Sequence, residues 1–269
     1  MSKNVGLIKI KGKVGDLSFY QSKGKNLVRM ASTVEKGRIM KDPAYKRTRE
    51  NMAEFGASAR IGKSFRNCFG IFAKRFGDEN YIGRITGLMR EIISNGSGRR
   101  GERVFEVVAN KEILEGFEFN PNDKLQNFFS PPFTLTANAA RNELTLNVPV
   151  FNTDMWMSAP EGATHFSLIC IASVLSDFAG TRVKKKYEPA EPLLNELSAY
   201  QISAAIETSG LTTAPVSLTA VLPGAPAMTG NVGLLAAVGI EFYQEINGEM
   251  FILATDNALK KLLKFFDSV

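Results

Sequence analysis

The sequence predicts an α+β protein in two parts: an N-terminal β-meander with amphipathic helices, followed by an antiparallel immunoglobulin-like β-sandwich. Three observations carry this. Apolar residues recur at helical spacing between about 45 and 93. Short alternating segments separated by turn residues fill the chain after residue 114. Charge divides along the chain: residues 1–103 hold 23 Lys or Arg against 9 Asp or Glu, and residues 104–269 hold 10 against 18. The expected division is a basic domain over 1–114 and an acidic one over 115–269.

Bulk composition agrees with a packed protein. The 269 residues are 44% hydrophobic and 22% charged, which argues against disorder and allows a sizeable core. The 19 Phe against 1 Trp and 6 Tyr point to packed interiors more than to polar recognition surfaces.

The meander comes first. Leu7–Ile10, Leu17–Gln21 and Asn26–Met30 read as strands, with turns at Gly12–Asp16 and Ser22–Lys25. Three short strands are marginal alone and must pack on something. Residues 33–41 form a polar, basic connector. Asp42 suits a helix N-cap and Pro43 the first helical position. Tyr45, Met52, Phe55, Ala59, Phe65, Phe69, Phe72 and Phe76 then follow at helical spacing. Gly56, Gly62 and Gly70 mark breaks or close backbone approaches, and two helices are expected here rather than one. A further helix runs from about Asp78 to Ser94, with a buried stripe of Tyr81, Ile82, Ile85, Leu88, Met89, Ile92 and Ile93, and ends in the exposed loop Asn95–Gly101.

The strands of the second part are expected at 117–119, 133–136, 144–148, 166–169, 182–187, 200–206, 216–222, 239–244 and 250–254. Asn247-Gly248 makes the last two the clearest hairpin in the chain. Gly233–Ile240 reads as a strand pair or a buried turn. Residues 257–266 are compatible with a helix or a final strand.

Chemistry is sparse. Gly96-Ser97-Gly98-Arg99-Arg100-Gly101 matches G-x-G-x-x-G, but it follows a helix where dinucleotide binding needs a preceding strand. Gly56 to Gly62-Lys63-Ser64 resembles a P-loop with one residue too many, inside a helical period. His165 is the only histidine, no G-x-S-x-G elbow is present, and one His with two distant Cys cannot supply a zinc set. Cys68 and Cys170 read as buried thiols; a disulfide between them is left open. The basic residues carry more weight. Arg47, Arg49, Arg60, Lys63 and Arg66 on the first helical region, with Arg99 and Arg100 in the loop, are the candidate contacts for a partner or polyanion. The competing reading is charge that solvates a helix face or pairs with nearby acids.

The stretch Gly6-Leu7-Ile8-Lys9-Ile10-Lys11-Gly12-Lys13-Val14-Gly15-Asp16-Leu17-Ser18-Phe19-Tyr20 precedes Asp42-Pro43 and Thr48-Arg49-Glu50-Asn51-Met52-Ala53-Glu54-Phe55-Gly56. Together with Gly239-Ile240-Glu241-Phe242-Tyr243-Gln244 and Asn247-Gly248, it resembles an uncharacterised family of Bacteroidota proteins. The resemblance covers most of the chain. It implies one continuous architecture and a bacterial source, and it carries over no activity, cofactor or catalytic residue.

The expectation is therefore a non-enzymatic structural protein, without a cofactor or metal, that self-assembles with other copies of itself into a filament, tube or particle. The alternative is a nucleic-acid-binding protein that uses the basic N-terminal region. No apolar run approaches ~18 residues, so no membrane insertion is expected. The opening residues lack an apolar signal core, which makes the cytoplasm the default location. Release within a particle, or by a route without a signal, stays open.

Overall fold

The computed structural model describes residues 2–3, 10–22, 24–31, 34–122, 124–181, 186–253 and 259–266. It is a mixed α+β chain whose strands all pair antiparallel. Packing divides it into two units, Met1–Asn51 and Met52–Val269, so this boundary lies well before the change in charge and texture.

The first unit holds β1 (Ser2–Lys3), β2 (Gly12–Val14), β3 (Leu17–Ser22) and β4 (Lys25–Met30) in the order β1-β4-β3-β2. The turn expected over Gly12–Asp16 is shorter than that. Gly12–Val14 pairs with Leu17–Phe19, and the chain reverses at Gly15 and Asp16, with Gly15 at φ 57°. The strand expected at residues 7–10 falls mostly outside the described residues. A short helix α1 (Lys36–Lys41) leads to a 3-10 turn at Pro43–Tyr45. There Asp42 accepts the Ala44 N–H at 2.9 Å, as the capping pattern predicts.

Helix α2 (Lys46–Asn67) runs on from this turn and crosses into the second unit. It ends near Gly70, whose φ of 50° breaks the period before α3 (Ile71–Phe76). Helix α4 (Tyr81–Asn95) follows. The buried stripe differs from the expected one early on. Ala57, Ser58, Ile61 and Phe65 are buried, whereas Met52 and Phe55 are exposed. These two sit on the opposite side of the helical wheel from Ala57 and Ile61, which a count of apolar spacings alone does not reveal. Gly56 has open space around its missing Cβ. Gly62 is the close approach, where a Cβ would lie 3.2 Å from Ile85 Cγ2 of α4.

The segment expected as a strand at Phe117–Phe119 is irregular. Its alternation arises from packing under the helices. Phe117 and Phe119 join Phe65 and Phe69 in one aromatic cluster, and Arg84 takes the Glu118 and Phe119 carbonyls at 3.3 and 2.6 Å. With those carbonyls occupied, the segment has no need of a sheet partner.

The remaining elements are β5 (Thr134–Ala137), β6 (Glu143–Val148), α5 (Thr153–Trp156), β7 (His165–Ser176), β8 (Phe178–Thr181), β9 (Lys186–Pro189), β10 (Ser198–Ile202), β11 (Ile206–Glu207), β12 (Val216–Val221), β13 (Val232–Ile246), β14 (Glu249–Ile252) and β15 (Leu259–Phe266). Residues 182–185 of the strand expected at 182–187 lie outside the described residues. The stretch Gly233–Ile240 is neither a strand pair nor a turn. It is the centre of the 15-residue β13, paired with β7 on one side and with β15 and then β14 on the other. The C-terminal segment is a strand. The Asn-Gly hairpin forms as expected, with Asn247 at φ 54° and Gly248 at φ 84° between β13 and β14.

The second unit is layered. The sheet β10-β7-β13-β14 lies in the middle, with β11 on β7 and β15 on β13. On one face, Ile169, Ile171, Leu175, Leu235 and Ala237 share a core with α2, α3 and α4. On the other, Phe166, Leu168, Cys170, Leu234, Val238 and Phe242 meet the sheet β12-β6-β5 through Leu144, Leu146 and Leu218. Both faces of β7 and β13 are covered, so their sequences run apolar instead of alternating.

Candidate functional site

The seven candidate basic residues fall in both units. Arg47 and Arg49 lie in Met1–Asn51. Arg47 pairs with Glu50 at 3.0 Å on an exposed surface, an interaction of little energetic weight. Arg49 donates to the carbonyls of Ile39 and Asp42 at 2.7 and 2.8 Å, so its guanidinium ties the connector to the helix start. Arg60, Lys63 and Arg66 follow one another at i+3 along α2 in the second unit. Arg60 donates to the Tyr187 carbonyl at 3.3 Å and Arg66 to the Gly62 carbonyl at 3.0 Å, while Lys63 is exposed.

Arg99 and Arg100 are exposed in the loop after α4. That loop is anchored. Gly101 N–H donates to Glu54 Oε1 at 2.7 Å, Val104 N–H to the Ser97 carbonyl at 2.9 Å, and Ser97 Oγ to Glu106 at 2.6 Å. Glu54 is buried and also faces Arg103 at 3.9 Å. Its carboxylate thus takes up one of the loop's own amides.

The P-loop-like segment is helical throughout. Its Ser64 hydroxyl donates to Glu196 Oε1 at 2.5 Å and accepts from Asn195 Nδ2 at 2.8 Å. His165 begins β7, half-buried, with Nδ1 3.0 Å from Thr164 Oγ1 and 3.9 Å from the Glu245 carboxylate. Cys68 faces the helix-side core and Cys170 the core on the opposite face of the middle sheet, which separates the two thiols. Among the described residues no group of three or more His, Cys, Asp or Glu is placed to hold a metal ion. Among them, too, no helix is long and apolar enough to cross a membrane.

Several polar groups were not singled out by sequence. Glu241, buried on β13, receives Arg75 Nη1 at 3.3 Å and the Tyr243 hydroxyl at 2.9 Å. Burial pushes the Tyr243 pKa up, and the nearby Glu241 charge adds to this. The Tyr187 hydroxyl is buried without a hydrogen-bond partner among the described residues. Burial, with Glu54 and Glu102 nearby, raises its pKa to about 12, so it remains neutral. The Arg75–Glu241 pair joins residues far apart in the chain, so no local pattern announces it, whereas Tyr243 and Glu241 are two apart on β13.

The apolar surface is more informative. In Met1–Asn51 none of the residues whose side chains are described is buried. Its sheet leaves Val14, Leu17 and Met30 exposed at 56%, 39% and 69%. In the second unit, the β13–β14 hairpin exposes Ile246, Met250, Phe251 and Ile252. Sheets with apolar faces and free strand edges are surfaces that pair with other chains.

No protein family, no curated protein and no solved structure matches the chain.

Proposed function

We propose that this chain is a non-enzymatic structural protein that assembles with other copies of itself. The observation that carries the reading is the N-terminal sheet. Four strands form it, yet none of its described side chains is buried. A sheet of this size needs a covered apolar face to be stable, and contact with a neighbouring copy supplies one. The charge division, basic before residue 104 and acidic after it, favours head-to-tail contacts between copies. Heterologous contacts of that kind close into rings or continue as filaments and tubes. The facing sheets of the second unit belong to the same proposal as an immunoglobulin-like sandwich; antiparallel pairing and a core closed between two sheets support that reading.

The test is electron microscopy and light scattering of the full chain at low and moderate salt. Assemblies are expected, and Met30→Lys with Val14→Lys should weaken them without lowering the thermal midpoint of the second unit. A strictly monomeric species at every salt concentration would sink the proposal.

A second reading, binding of nucleic acid, is favoured by the exposed positions of Lys63 and Arg99. It predicts binding to random DNA or RNA that weakens steeply with salt. Absence of binding at about 50 mM salt rules it out.

A further inference from the structure

The outer face of the sheet β12-β6-β5 carries an ordered set of uncharged polar side chains. Register places Thr134 beside Asn147 and Asn147 beside Ser217 in one row across the three strands. Two residues along, Thr136, Thr145 and Thr219 form a second row. Neighbouring side chains in a row are about 4.8 Å apart and the rows about 7 Å apart, as the pleat dictates. Glu143 is the one charged outward position of the three strands, and Val221 stands opposite it.

The first row opens into a groove of about 390 Å³, walled by Pro132, Phe133, Pro149 and Pro215. Ser217 Oγ donates to Asn147 Oδ1 at 2.7 Å. This fixes the amide, and its Nδ2 group has no hydrogen-bond partner among the described residues. The groove thus combines a free amide donor, hydroxyls that donate and accept, and three proline rings, with no charge in its lining.

We infer that this groove binds a neutral oligosaccharide. Sugar hydroxyls both donate and accept, which matches Thr134, Asn147 and Ser217. The C–H face of a pyranose packs on apolar rings, which Pro132, Pro149 and Pro215 provide. Charge selects the class. The lining offers nothing to a phosphate or carboxylate, and residues 104–269 carry a net acidic charge that repels anions. The site uses neither the N-terminal sheet nor the basic helix surface, so it stands independently of assembly.

The experiment titrates cellohexaose, maltohexaose, mannohexaose and chitohexaose into the isotopically labelled full chain, followed by NMR and calorimetry, beside a neutral-glycan array. At least one saccharide is expected to bind and to shift the Asn147 side-chain amide resonance. Asn147→Ala and Ser217→Ala should each lower affinity about tenfold, the size of one good hydrogen bond. Both positions are exposed, so an unchanged thermal midpoint verifies the fold. No binding to any probe at roughly 10 mM overturns the inference. So does binding that both substitutions leave intact. A change in self-association on substitution, without saccharide binding, would also overturn it and assign the face to contacts between copies.

Discussion

Ser64 donates its hydroxyl to the Glu196 carboxylate at 2.5 Å, which joins α2 to the turn before β10. Glu196 sits at φ 70°, a left-handed conformation that disfavours any side chain. Asn67 Nδ2 holds its other oxygen at 2.9 Å. The side chain is retained for these bonds in spite of the backbone strain. Glu196→Ala keeps the strain and loses both bonds, so it should destabilise by about 2–3 kcal/mol. Glu196→Gly loses the same bonds but relieves the backbone, and should cost about 1 kcal/mol less. Urea denaturation of the two variants measures the gap; Glu196→Gly the less stable of the pair would refute the assignment.

The helix-region glycines should respond in opposite directions. Gly56 is helical, and a Cβ added there would meet nothing within 4 Å, so Gly56→Ala should stabilise by about 1 kcal/mol. At Gly96 the same carbon would collide with the Val104 carbonyl oxygen. Gly96→Ala should therefore destabilise by about 2 kcal/mol or more, through displacement of the loop backbone. Thermal midpoints of the two variants on either side of the parent are the expected result.

Burial raises the Asp177 pKa from its ordinary value of 3.8, and Glu106 adds to this against the bonds from the Val107 and Val108 amides. The folded state then binds more protons than the unfolded state just above pH 3.8. Stability accordingly falls as pH rises through that window and stays lower beyond it. Asp177→Asn keeps an oxygen for the Val107 N–H, now 2.6 Å from the carboxylate, and removes the titration. Its stability relative to the parent should improve from about pH 3.5 to pH 7 when followed by urea denaturation. A relative stability that worsens over this range would contradict the account.

Both thiols should be inert in the folded protein. Cys68 and Cys170 are fully buried, and burial pushes the Cys170 pKa up to about 12, leaving almost no thiolate near neutral pH. A thiol-disulfide dye should label neither residue in native buffer and both in denaturant. A single labelled site, or none, in denaturant would mean that a thiol is already oxidised.

Local patterns made much of this protein legible. The Asp42-Pro43 start, the period through Phe65, Phe69, Phe72 and Phe76, the Asn247-Gly248 hairpin and most strands were readable because each depends on neighbours in sequence. The polar rows on β5, β6 and β12 were visible in part, since Thr134, Thr136, Thr145, Asn147, Ser217 and Thr219 alternate with core residues. Their alignment into one face depends on register between distant strands, which no single segment encodes.

Tertiary structure alone decided the rest. The run at Gly233–Ile240 is one long strand because both of its faces are covered, and only the layers reveal that. Phe117–Phe119 alternates like a strand, yet Arg84 occupies the Glu118 and Phe119 carbonyls. Arg49 looks like a free cation in sequence, yet two carbonyls hold it. Sequence by itself determined the α+β class, the charge division and most element positions, because propensity, turn chemistry and composition are local. The partners of each buried face and each cation were decided by folding, because burial and hydrogen bonding join residues that the chain keeps far apart.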